Sequence, residues 1–141
     1  MFAPAVGLML VSSGKLAEAV FDEALKQAGL SLAKMWGLRQ LAEAGESLTL
    51  RELAERMGCA KSNASTLVDR LQAQGLVQRS PDPDDGRGVL LDLTAKGIRS
   101  YATGVRLAAE AEPRLLNALS QAERQLLAEL LVKLGEEDRR D

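Results

Sequence analysis

Between Lys61 and Gln74 the chain carries hydrogen-bonding side chains at positions where a helix would display them together. Ala64, Leu67, Val68 and Leu71 follow the i, i+3, i+4, i+7 rule and form one apolar face. On a helical wheel Ser62, Thr66, Asp69 and Ala73 lie opposite, with Ser65 and Arg70 at the edges, and Lys61 and Asn63 flank the exposed amino-terminal half. Small side chains let a backbone approach base edges closely. Ser, Thr and Asn donate and accept there, and Arg or Lys can take guanine or phosphate. That is recognition chemistry, with no bond made or broken. The alternative, an ordinary amphipathic surface helix, accounts poorly for Ser62-Asn63-Ala64-Ser65-Thr66, a segment of weak overall helix propensity.

Bond-making chemistry lacks its usual parts. The chain has no histidine, which removes the commonest general base, the commonest metal ligand and every Ser-His or Cys-His pair. Carboxylates are plentiful, but most stand among helix-forming residues as solvated faces. No set of nucleophile, base and stabiliser can be assembled, so an enzyme is not expected. The single Cys59 excludes an intrachain disulfide framework and any multi-cysteine zinc site. Neither a cofactor nor a metal is expected.

The neighbouring elements must position that helix. Thr49-Leu50-Arg51-Glu52 is a capping box, with Leu50, Leu53, Ala54 and Met57 as the buried stripe of the helix it opens. Met57-Gly58-Cys59-Ala60 is the turn, where Gly58 supplies the left-handed conformation of a sharp corner. Gly75 ends the second helix. Leu76 to Arg79 predicts a strand, Pro81 to Gly86 a turn, and Gly88 to Leu93 a second strand with Val89, Leu91 and Leu93 on one face. Arg79, at the end of the first strand, is a candidate DNA contact, and Arg87 sits just past the tip, where phosphates or the minor groove would meet it; a salt bridge to Asp82, Asp84 or Asp85 is the alternative role for Arg87. Two short helices, a tight turn and a β-hairpin in this order spell a winged helix-turn-helix, a DNA-binding architecture.

The remainder predicts helices. Leu16, Val20, Phe21, Ala24, Leu25 and Ala28 make one face of a helix from Pro4 to Ala28, stopped at Gly29. Ser31 caps a second, to about Glu43, and Ser47 to Leu50 is an extended link. Thr94 caps a long helix from Ala95, weakened by Gly97 and Gly104 and bent or broken just before Pro113. Ser120-Gln121-Ala122-Glu123 is a second capping box. Leu126-Leu127, Leu130-Leu131 and Leu134 give the last helix more apolar surface than a lone terminal helix can carry, so a partner must cover it. The polar stretch Gly135 to Asp141 is expected to fray.

At 141 residues the chain makes one domain, and 46% hydrophobic against 3% aromatic residues points to a helical core of Leu, Ala and Val. Ala5 to Val11 is too short to cross a bilayer and lacks the basic flank of a signal peptide, so a cytoplasmic protein without membrane contact is expected. The net charge of −2 stands against the basic footprint usual in DNA binders. The balance turns positive only locally, where Lys61, Arg70 and Arg79 face the lone Asp69. Weak non-specific affinity with a modest salt dependence follows.

With these elements in order the chain resembles the multiple antibiotic resistance regulator (MarR) family over nearly its whole length. The segments that carry the resemblance are Leu48 to Gly58, Lys61 to Leu71, Gly75-Leu76-Val77, the wing Pro81 to Arg87, and Leu93-Thr94-Ala95-Lys96-Gly97, with Ala28 to Ser31 and Leu119 to Arg124 in support. The resemblance implies a mostly α fold with a small β-hairpin wing, in which residues 4–45 and 95–138 supply dimerisation helices and 46–94 form the DNA-binding lobe. It implies a homodimer on a pseudo-palindromic double-stranded operator, acting as a repressor, with Ser62, Asn63, Ser65, Thr66 and Arg70 facing groove or phosphate. Asp85 and Arg87 match the wing Asp-x-Arg, in which the acid steadies the arginine. Three departures reduce the donors to DNA: Ala60 where Ser or Thr often caps the recognition helix, Thr66 where a longer basic side chain is common, and Gly86 where a second Arg is frequent.

Regulation by a small aromatic or anionic effector is the further expectation of the resemblance, with Trp36 and Arg39 as candidate pocket residues. A core Trp and a solvated Arg are the plainer reading of those two. Cys59 is expected as a buried structural thiol, because a redox role requires exposure and a lowered pKa. A winged-helix module for protein contacts remains the rival function. Its mark would be an apolar recognition face, which Ser62, Asn63, Ser65 and Thr66 do not provide.

Overall fold

The computed structural model describes residues 5–138. Pro4, the expected start of the first helix, and 139–141, the end of the expected frayed tail, lie outside these. The elements run α1 (Val6–Lys26), α2 (Leu32–Ala44), β1 (Leu48–Thr49), α3 (Leu50–Met57), α4 (Lys61–Ala73), β2 (Val77–Asp82), β3 (Asp85–Leu93), α5 (Ala95–Ala111), α6 (Pro113–Leu116) and α7 (Gln121–Asp138). The fold is mostly α, with one small antiparallel sheet.

Local signals set most boundaries. Ser31 accepts from the Lys34 amide at the start of α2, and Thr94 from the Gly97 amide at the start of α5. At Thr49 both arms of the capping box form: its hydroxyl accepts from the Glu52 amide at 3.1 Å while the Glu52 carboxylate accepts from the Thr49 amide at 2.8 Å. Such a cap stabilises its helix by about 1 kcal/mol. Gly58, with φ of 65°, makes the corner between α3 and α4. The Ser120 box forms too, and the Ser120 backbone N–H, then its hydroxyl, hold the Glu123 carboxyl below the usual carboxylate range. Pro113 opens α6 and separates it from α5, as its missing donor requires.

The sheet departs from expectation in two ways. The link at Leu48–Thr49 is a third strand, pairing Leu48 with Leu91 and Thr49 with Leu90, so the strand order is β1-β3-β2. The hairpin is also longer than its turn-rich composition suggests. Pro81-Asp82 and Asp85-Gly86-Arg87 are strand, leaving Pro83-Asp84 as the tip, with an irregularity between Pro81 and Asp82. Pro81 lies on β2, an edge strand, where a missing donor leaves no ladder bond unmade.

The core gathers Leu25, Leu38, Leu48, Leu53, Val68, Leu71, Val77 and Leu91, none more than 2% exposed. A smaller cluster of Val20, Ala24 and Ala111 ties α1 to α5. Leu16, expected on the buried face of α1, is exposed instead, along with Val6, Leu8, Met9, Leu10 and Val11. On α7, Leu126, Leu130, Leu131, Val132 and Leu134 are all exposed, and only Arg124 and Leu127 between residues 121 and 136 are partly covered. The helix continues through Gly135 to Asp138, where fraying was expected. Cys59 is only partly covered, not buried.

Gly97 is buried in α5 because the helix crosses Leu76 at backbone contact: a Cβ there would collide with the Leu76 carbonyl oxygen. The same oxygen accepts from the Thr94 amide at 3.1 Å, so it has little freedom to move. Gly97→Ala is expected to destabilise the protein by about 1–3 kcal/mol, the cost of overpacking. Urea denaturation measures it, and an unchanged midpoint would show that α5 can slide off Leu76.

Candidate nucleic-acid interface

Helix α4 is held on one side and bare on the other. Ala64, Val68 and Leu71 are fully buried and Leu67 nearly so, while Lys61, Ser62, Asn63, Thr66, Asp69 and Arg70 are exposed and Ser65 is partly covered. The hydrogen-bonding row expected from the sequence therefore faces solvent as one surface. No side chain caps the α4 amino terminus at Ala60. Its uncapped first-turn amides sit beside Lys61, a setting that favours a phosphate.

The carboxyl-terminal end of α4 is fastened from two directions. The Gln74 amide Nε2 donates to the Gly29 carbonyl at 2.9 Å, between α1 and α2. From α5, Lys96 Nζ donates to the Gln74 carbonyl at 2.8 Å and the Thr94 hydroxyl to the Gly75 carbonyl at 2.6 Å. The helix is thus referenced to the surrounding helices at its base, and its amino-terminal half is presented.

Two polar side chains behave differently from the simple reading of an exposed row. Thr66 donates its hydroxyl proton to the Ser62 carbonyl at 3.1 Å, which leaves it a methyl group and an acceptor oxygen to offer a groove. A threonine methyl suits the thymine C5-methyl. Arg79 lies across α4: its Nη2 donates to Asp69 Oδ1 at 2.7 Å and its Nη1 to Gln72 Oε1. Sequence separations of ten and seven residues across two elements carry no periodic signal, so this grip was illegible from the sequence.

At the wing, Asp82 accepts from the Asp84 amide at 2.9 Å and Asp85 from the Arg87 amide at 3.0 Å. Asp85 thus holds the backbone around Arg87 through its amide, and the alternative of an ion pair to the Arg87 guanidinium is not formed. Among the described residues the Arg87 guanidinium enters no ion pair, nor do Lys61 and Arg70. Three cations are thus free on the α4 and wing surface.

Trp36 and Arg39 come together away from this surface. The Arg39 guanidinium lies 5.5 Å from the centre of the Trp36 ring, and its Nε donates to Glu43 at 2.8 Å. That hydrogen bond, then the Glu43 charge, raises the Arg39 pKa further. Trp36 is half exposed, not core. Both line an open cavity of about 360 Å³ between α2 and α5, with Leu32, Met35, Tyr101 and Val105. Among the described residues no cluster of His, Cys, Asp or Glu could hold a metal, and no helix is long and apolar enough to cross a membrane.

A helix held by its core face, a bare polar face above it and a β-hairpin alongside define a winged helix-turn-helix DNA-binding regulator. The chain belongs to the MarR family. The family model, described as MarR family, matches residues 28–88. An uncharacterised HTH-type transcriptional regulator, YsmB of Bacillus subtilis, is 30% identical over 84% of this chain and 80% of its own length. The HTH-type transcriptional repressor NicR of Pseudomonas putida is 28% identical over 94% of this chain and 84% of its own. A cysteine-to-serine mutant of MarR from Escherichia coli, in complex with operator DNA, superposes with a TM-score of 0.81 at 25% identity, covering 92% of each chain. Family and relatives are transcriptional regulators, and this chain is one, not an enzyme.

Proposed function

We propose that the chain is a homodimeric repressor in the cytoplasm that reads a pseudo-palindromic operator. Helix α4 enters the major groove with Lys61, Ser62, Asn63, Ser65, Thr66 and Arg70, and Arg87 on the wing meets the flanking backbone, with Asp85 shaping its approach. The observation that carries this reading is the polar face of α4, bare over a fully buried opposite face. An apolar docking module would present the reverse. The named repressor among the relatives supports the direction of control.

The dimer reading rests on the exposed apolar residues of α1 and α7, which lie outside residues 46–94, the lobe assigned to DNA. Residues 4–45 and 95–138 are assigned to the subunit interface. Two recognition helices related by a two-fold axis would enter successive major grooves about 34–36 Å apart. Selection of bound genomic fragments by the purified protein is expected to return a pseudo-palindrome with half-sites one helical turn apart. Recovery of single half-sites would contradict the dimer, and no enrichment at all would contradict operator reading. Leu130→Asp is expected to give a monomer by sedimentation, with operator affinity lower by about 10²–10⁴-fold once the two half-sites are no longer linked. A monomer that kept full affinity would sink the two-fold arrangement.

The cavity between α2 and α5 is the proposed effector site. An aromatic ring would lie against Trp36 and Met35, and an anionic group would compete with Glu43 for Arg39. Because Trp36 is the chain's one tryptophan, its fluorescence reports the site directly. Titration with hydroxylated benzoates is expected to quench it saturably and to release operator, and Arg39→Gln to weaken both effects together. Quenching without release would make the cavity a binding site with no regulatory role.

A further inference from the structure

We propose that Arg79 is withheld from DNA and acts as a positioning residue, setting the angle of the wing against the recognition helix through its grip on Asp69 and Gln72. This rests on the DNA-binding reading above, and concerns the one cation on that surface that the structure finds already engaged.

The register of the hairpin explains how the arginine reaches α4. Arg79 pairs with Leu91, and Val77 with Leu93. Directly paired residues of an antiparallel ladder project to the same side, so Arg79 continues the row of Val77 and Leu91, both buried. It stands where that row leaves the core and passes along the edge of α4. Only 29% of its side-chain surface is exposed, because the aliphatic stem lies against the protein and the charge emerges between Asp69 and Gln72. Those two acceptors are three residues apart and so share one face of the helix.

The chemistry of the grip favours orientation over strength. A guanidinium is planar and presents its N–H groups in a fixed fork, so bonding two acceptors on one helix fixes an angle, which a point charge cannot do. Asp69 is mostly exposed, and ion pairs of that kind contribute little to stability. Removing the grip should therefore leave the fold intact and disturb the relation of the wing to the groove. The grip also cancels charge: Asp69 neutralises Arg79, and the cations left for phosphate are Lys61, Arg70 and Arg87.

The test is the salt dependence of affinity for the selected operator and for random DNA. Arg87→Ala sets the reference for a phosphate contact, with a slope of log affinity against log salt shallower by about 0.9 and an equal loss on both DNAs. Arg79→Lys keeps the charge and loses the fork. It is expected to leave the slope unchanged and to lower the operator-to-random ratio about tenfold, the scale of one misplaced base contact. Asp69→Asn releases the arginine, so the slope should steepen by up to about 0.9 while the ratio falls. Gln72→Leu removes one arm from an exposed position and should lower the ratio at unchanged slope, should either other variant fold poorly by thermal melting. The proposal is overturned if Arg79→Lys binds both DNAs like the parent chain while Arg79→Ala flattens the slope as Arg87→Ala does. Arg79 would then be an ordinary phosphate contact. A parent chain that binds no DNA would instead remove the regulator reading on which this one stands.

Discussion

The structure depends on the burial of one face of α4. Ala64, Leu67, Val68 and Leu71 are buried, and the face they form packs against α2, α3 and β2. Because those residues recur at helical spacing, burying them dictates which residues of the same helix must face outward. The polar face is in that sense a by-product of packing: Ser62, Asn63 and Thr66 are exposed because their neighbours are not. The base of the helix is then fastened at Gln74 and Gly75 by bonds to Gly29 and to the start of α5.

The cavity beside Trp36 lies against α5, whose start also bonds the end of α4. Its walls are α2 and α5, and the start of α5, with its cap Thr94, Lys96 and Gly97, contacts the Gln74–Leu76 segment that follows α4. A ligand that wedges these helices apart would have to strain the close crossing at Gly97 and Leu76 or turn α4 with it. The exposed apolar rows lie on other helices, α1 and α7. A second subunit packed there would fix the distance between two such α4 faces, so that small rotations become changes in half-site spacing.

Local signals in the sequence carried most of the elements. The capping boxes at Thr49 and Ser120, the Gly58 corner, the Thr94 cap and the Pro113 break all act within four residues, and each appears where its residues stand. Non-local pairings were beyond reach. Strand β1 is two residues long and exists only because β3 lies beside it. The hairpin extends into Pro81-Asp82 and Asp85-Gly86 because ladder bonds override the turn preference of those residues. Gly97 and Gly104 read as weak points in a helix and are sites of close approach: the Leu76 backbone leaves no room for a side chain at Gly97, and the end of the Met35 side chain fills the space at Gly104. The polar face of α4 was legible because periodicity alone defines it, whereas the grip of Arg79 was not, because its partners are neighbours only in space.

The charge of the chain follows from the same geometry. A net charge of −2 would repel DNA if the whole surface met it, yet phosphate meets only what lies within about a Debye length, roughly 8–10 Å at physiological salt. Within that reach α4 and the wing offer Lys61, Arg70 and Arg87, with Arg79 already balanced by Asp69. Few free cations mean weak binding to arbitrary DNA, since that term grows with each phosphate neutralised. In the proposed reading the specific site loses the same electrostatic help but keeps its base contacts, so the ratio of specific to non-specific binding depends on how well α4 and the wing are held. In the DNA-binding reading proposed above, a chain with so modest a basic footprint relies on how firmly its recognition helix is held, and the bonds at Gln74 and Gly75 fasten the carboxyl-terminal end of that helix.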